Sequence, residues 1–70
     1  LFVPDNDPLL FYRKISIMAL TQLKEGGLLY FEINREFGLH ISEMLTAMGF
    51  HNVRLLKDIS GNNRFIVAVR

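Results

Sequence analysis

Apolar residues along this chain recur first at helical steps, then almost without a break, then at helical steps again. Tyr12, Ile15, Ala19 and Leu23 stand three or four positions apart, and Phe11, Met18 and Leu20 widen the stripe. That spacing predicts an amphipathic helix over residues 8–25. Asp7 as N-cap and Pro8 at the first helical position open it. Lys24 suits the last turn, and Gly26-Gly27 supplies the stop. Leu28 to Phe31 are apolar in succession, and with Glu32 and Ile33 they predict a strand over 28–33. A strand with one wet face would alternate, so this one is expected to be covered on both faces, with helices on each side of the sheet.

Asn34 is placed to cap the next segment. Phe37, Ile41, Met44, Leu45 and Met48 predict a second helix over 35–48. Gly38 in its first turn weakens the helix there, so the regular part is expected from Leu39 onward. Gly49 ends it, and Phe50 is positioned to fold back on the last turn. Residues 53–58 and 64–69 read as two more strands around the turn cluster 59–63, and five connecting residues favour an antiparallel hairpin. Helix, strand, helix, strand, strand is the order of an α/β fold. A right-handed crossover through the second helix sets strands 28–33 and 53–58 parallel to each other. Before the first helix, Leu1-Phe2-Val3 is expected to be extended, because Pro4 disfavours helix in the residue ahead of it.

Composition changes this picture in one respect. Seventy residues with no cysteine make one small domain without a disulfide, and such a chain buries only about 60% of the surface it exposes when unfolded. Yet half its residues are apolar. That much core is expected to meet surface lying outside these residues, and a start without methionine fits a piece of something longer. Net charge is +1, with the basic residues scattered among acids, so no nucleic-acid stripe stands out. No apolar run approaches the roughly 20 residues of a membrane span, and no signal peptide is visible. The absence of cysteine is compatible with a reducing cytosol.

Few residues suggest chemistry. His40 and His51 stand apart with no ligand set around them, so no metal is expected. Ser16, Ser42 and Ser60 lack the context of an activated nucleophile, and Met18, Met44 and Met48 fall on the helical stripes as core. Glu32 is the one acid in the apolar strand, and Asn34 comes two residues later. Ligands of doubly wound sheets bind beyond the carboxyl ends of the strands, which is where these two stand. Tyr12 and Arg13 open the first helix on that same side, although Tyr12 also suits packing. Arg64, near Lys57 and Asp58, reads first as the partner of Asp58 in an ion pair.

The closing hairpin is similar to the C-terminal part of class I S-adenosylmethionine-dependent methyltransferases, in which the last strand slots between the two before it. Leu1-Phe2, then Asp7-Pro8-Leu9 and Tyr12-Arg13, resemble the segment just past the catalytic motif in the HemK family. These are the glutamine N5-methyltransferases of peptide-chain release factors. Gly27 to Ile33 resembles that family's fifth strand. Gly49-Phe50, Val53, Lys57-Asp58, Gly61 and Arg64-Phe65 resemble its closing pattern. The resemblance spans essentially all 70 residues and implies the C-terminal portion of a methyltransferase catalytic domain. The implied fold is a Rossmann-like mixed three-stranded sheet, in the order 28–33, 64–69, 53–58, with two flanking helices.

The same resemblance implies a cytoplasmic enzyme that uses S-adenosylmethionine and a release factor as its partner. Glu32 and Asn34 would border the substrate pocket. The family's Gly-rich cofactor loop and its Asn-Pro-Pro-Tyr motif do not occur here, so residues 1–70 alone are expected to be inactive. The strand partner implied for residues 28–33 is also missing, and this exposed edge is expected to make the isolated chain self-associate. Two other readings stay open: a class I methyltransferase acting on a nucleobase amino group, and a non-enzymatic α/β interaction module.

Overall fold

The computed structural model describes residues 7–70, and the extended entry expected over residues 1–3 lies outside them. The order of elements is α1 (Leu10–Gln22), β1 (Leu28–Glu32), a 3-10 turn (Arg35–Phe37), α2 (Gly38–Ala47), β2 (His51–Lys57) and β3 (Asn63–Val69). The strands lie in the order β1-β3-β2, with the last segment of the chain in the middle as expected. Both pairings are antiparallel, with Tyr30 opposite Val67 and Leu55 opposite Ile66. Being each antiparallel to β3, the outer strands β1 and β2 run parallel to one another without touching. Within the described residues the sheet is therefore antiparallel throughout, not mixed.

Helix α1 is shorter at both ends than the expected 8–25. Asp7 does not cap it. Its carboxylate instead accepts two hydrogen bonds from the Arg13 guanidinium, at 2.9 and 3.0 Å. Its carbonyl accepts from the Leu10 amide, so a tight turn leads into a helix whose N-cap is Leu9. At the other end Leu23 is already extended, and Lys24 lies beyond the last turn. The two glycines do more than stop the helix. Gly26, at φ +86°, completes a turn that only glycine adopts freely. The Gly26 amide then donates to the Arg70 carbonyl, and the Gly27 carbonyl accepts from the Arg70 amide, which starts the β1–β3 ladder early.

Helix α2 matches its pattern closely. The Asn34 side chain accepts from the Glu36 amide at 3.1 Å and caps the 3-10 turn. Gly38, the first α-helical residue, is buried, and a Cβ there would meet Leu55 Cδ2 at 3.3 Å. Its lack of a side chain lets α2 approach the hairpin. The far end is a Schellman motif: the Phe50 amide donates to the Leu45 carbonyl and the Gly49 amide to that of Thr46, with Gly49 at φ +100°. Phe50 folds back and is buried.

The core joins Ala19 of α1, Ile41 and Leu45 of α2, Phe50, Ile33, and Ile66 and Ala68 of β3. Leu29, Phe31, Val53 and Leu55 pack around them. All the strand residues in this set belong to one face of the sheet, because paired residues share a face and neighbours along a strand alternate. Both helices therefore cover the same face. The expectation that strand 28–33 is covered on both sides does not hold among the described residues: Leu28 is 61% and Tyr30 57% exposed. Met18, expected in the core, is also exposed, whereas Ser16 is fully buried. The Ser16 hydroxyl donates to the Tyr12 carbonyl one turn earlier at 2.6 Å, which satisfies it inside the interface.

Candidate functional site

The carboxyl end of β1 and the beginning of β3 meet beside the start of α1, and an open cleft of about 520 Å3 lies there. Tyr12, Glu32, Ile33, Asn34, Arg35 and Arg64 line it. Its floor is fixed by backbone. The buried Ile33 donates its amide to the Arg64 carbonyl at 2.8 Å, which carries the β1–β3 pairing one residue past the strand. The next amide, of Asn34, donates to the Tyr12 hydroxyl at 3.2 Å. The Tyr12 ring in turn stands edge-on to Phe31, with centroids 5.5 Å apart. Tyr12 therefore packs and lines the cleft at once, tying α1 to the loop after β1.

The charged groups are held from the rim. Arg64 donates from Nε and one terminal nitrogen to Asp58 Oδ2 at 3.3 and 3.2 Å, and its other terminal nitrogen lies 4.0 Å from Glu32 Oε1. Asp58 is itself set by its turn, since its Oδ1 accepts the amides of Ser60 and Asn62 at 2.9 and 3.0 Å. The Asn62 amide, then that of Ser60 and the Arg64 guanidinium, hold this carboxyl below its ordinary value. Arg35 donates to Asn62 Oδ1 at 3.2 Å, which links the 3-10 turn to the hairpin loop.

The cleft thus presents guanidinium and phenol donors, one carboxylate acceptor and one primary amide. It can hydrogen-bond a polar ligand from both sides. It holds no cysteine or serine, so it offers no nucleophile–base pair. Among the described residues no three histidine, aspartate or glutamate side chains gather to hold a metal.

The structure brings together four residues singled out from the sequence, Glu32, Asn34, Tyr12 and Arg64. It separates Arg13, which is committed to Asp7 and thereby raised further above its ordinary pKa, with Asp7 lowered. Arg35 and Ile33 were not anticipated. A cation at the N-terminal end of a helical segment opposes the helix dipole, and that misplacement was the available signal for Arg35. Among the described residues Gly26 and Gly27 stand nearest to a Gly-rich loop, but the Gly26 amide and the Gly27 carbonyl bond Arg70 and the Gly27 amide donates to the Lys24 carbonyl.

With this geometry in place, similarity to known proteins decides the family. A release factor glutamine methyltransferase of Bacteroides thetaiotaomicron is 46% identical over all 70 residues. One of Flavobacterium psychrophilum is 53% identical over 66 residues, 94% of this chain. One of Clostridium acetobutylicum is 37% identical over 68 residues. Over the section it spans, the chain belongs to the release factor glutamine methyltransferase family. It spans about a quarter of the length of these relatives: 25%, 23% and 24%. No protein-family model matches the chain, and no solved structure does. No helix among the described residues is long and apolar enough to cross a membrane.

Proposed function

We propose that residues 1–70 form the C-terminal portion of a longer methyltransferase. This enzyme transfers a methyl group from S-adenosylmethionine to the side-chain amide of a glutamine in a peptide-chain release factor. The observation that carries this reading is the 46% identity to a protein of that name with no residue of this chain left out. The cofactor supplies an activated methyl group, and its binding loop belongs to sequence outside this chain. What these residues contribute is orientation. Glu32 and Asn34 border the substrate pocket, with Tyr12 holding the Asn34 backbone and Asp58 holding Arg64 along its rim.

A release factor works with ribosomes, so the enzyme acts in the cytoplasm. The isolated 70 residues are inactive, and they self-associate through the free edge of β1. The full-length polypeptide, incubated with methyl-labelled S-adenosylmethionine and purified release factor, is expected to transfer label to the factor, while residues 1–70 transfer none. Label on a nucleic acid and not on the factor would overturn the substrate assignment. In sedimentation, a stable monomer of residues 1–70 at high concentration would overturn the self-association.

A further inference from the structure

Residues 58–62 join β2 to β3 on the rim of the cleft. The Gly61 amide donates to the Asp58 carbonyl at 3.0 Å, which closes a turn with Ile59 and Ser60 at its corners. Turns are built from glycine, proline, asparagine, aspartate and serine, each for a conformational reason. Asp58, Ser60, Gly61 and Asn62 follow that rule, and Ile59 breaks it. Among the described residues it is the most exposed of the large apolar side chains. Single apolar residues on a surface are ordinary. Ile59 differs because it runs against the chemistry of its own turn and no packing among the described residues offsets that conflict. Such local conflicts concentrate at functional sites. The loop beneath it is closely specified. The Asp58 amide donates to the Asn62 carbonyl at 2.9 Å, and Asp58 Oδ1 accepts the Ser60 and Asn62 amides. Two residues of the cleft grip the same loop, Arg64 through Asp58 Oδ2 and Arg35 through Asn62 Oδ1 at 3.2 Å. The position of Ile59 relative to the cleft is therefore set before anything binds, and a tip held in this way loses little further entropy on contact.

We propose that Ile59 is an anchor by which the full-length enzyme holds its protein substrate beside the cleft, entering an apolar recess on the surface of the release factor. The inference rests on the proposed function and adds to it a contact that selects the factor. The composition of the loop favours a protein over a nucleic acid. Residues 58–62 carry an aspartate and neither a cation nor an aromatic ring. Nucleic acids are held by cations on their phosphates and by aromatic rings on their bases. An aliphatic tip beside a cleft of polar groups instead matches an interface with a protein, in which an apolar anchor is bordered by hydrogen-bonding residues.

The test is Ile59→Ser in the full-length protein. Because the side chain is fully exposed, the urea midpoint is expected to stay at the wild-type value. The Kd for fluorescently labelled release factor, read by anisotropy, is expected to rise about tenfold through loss of one buried aliphatic side chain. The KM for the factor is expected to rise with it, while kcat at saturating factor and the Kd for S-adenosylmethionine stay within about twofold. Ile59→Leu is expected to restore most of the affinity. A Kd for Ile59→Ser within about twofold of wild type overturns the inference. So does a lowered urea midpoint, which would seat Ile59 against another part of the same polypeptide, and so does an effect confined to the binding of nucleic acid. Anisotropy needs no turnover, so the two claims fail separately. Factor binding weakened by Ile59→Ser, in a protein that methylates no factor, keeps this inference and removes the proposed function. Methyl transfer to the factor with binding unchanged by the substitution does the reverse.

Discussion

Replacing Glu32 by glutamine in the full-length protein separates a substrate-facing carboxylate from a structural one, because the structure makes its structural role small. The nearest cation is Arg64, at 4.0 Å, with both side chains largely in solvent at 69% and 45% exposure. Two unit charges at that distance in water attract by about 1 kcal/mol before entropy and salt reduce it. Exposed pairs of this kind contribute about 0–1 kcal/mol. Arg64 also keeps its closer partner, Asp58, at 3.2 Å. The urea midpoint of Glu32→Gln is therefore expected to stay within about 0.5 kcal/mol of wild type.

A carboxylate that accepts a hydrogen bond from bound substrate contributes about 1.5–3 kcal/mol, so its loss lowers kcat/KM about 10- to 150-fold. Steady-state methyl transfer to a release factor, read beside the unfolding curve, gives both numbers on one preparation. Unchanged turnover and unchanged KM would refute the placement of Glu32 at the substrate pocket. A large loss of stability would refute the reasoning from exposure.

Packing and charge set three further outcomes. Leu45→Ala removes a fully buried side chain at the centre of the core and is expected to destabilise by about 2–5 kcal/mol, measured by urea unfolding monitored by circular dichroism. Gly49→Ala meets no atom within 4 Å but must hold φ +100°, so it is expected to lose about 1–2 kcal/mol through backbone strain alone, with no change in the unfolding slope. Asp7 and Asp58 are both held below their ordinary value of 3.8. In acid the unfolded chain therefore takes up protons before the folded one. Their contribution is complete above about pH 4–5 and is lost as pH falls through their lowered values. An acid titration of the urea midpoint is expected to decline over that range, and Asp58→Asn to flatten the decline.

Much of the fold was legible because local chemistry and global position agreed. Gly49-Phe50 announced a helix end that the Schellman motif realises, and Asn34 announced a cap that its side chain makes. Glu32 and Asn34 stood out by breaking an apolar run at a strand end, and the structure places both on the cleft with Tyr12 and Arg64. What escaped was decided by partners distant in sequence or by competition between neighbours. Asp7 reads as an N-cap until Arg13, six residues on, takes both its oxygens. The apolar stripe of α1 leaves Ser16 out, because a hydropathy pattern cannot register that its hydroxyl returns to the Tyr12 carbonyl. Periodicity assigns each helix an apolar stripe but not a side of the sheet, so two helices on one face, and Leu28 and Tyr30 exposed on the other, were not readable. Arg35 joined the cleft through Asn62, across a loop whose path no local pattern specified.

The most direct test of the account is the position of the transferred methyl group. Full-length protein, S-adenosylmethionine and purified release factor are incubated together, and the factor is digested and sequenced by tandem mass spectrometry. The account predicts one added methyl group on the side-chain nitrogen of a glutamine. A release factor recovered without a methyl group, from a preparation that methylates a nucleobase instead, would contradict it.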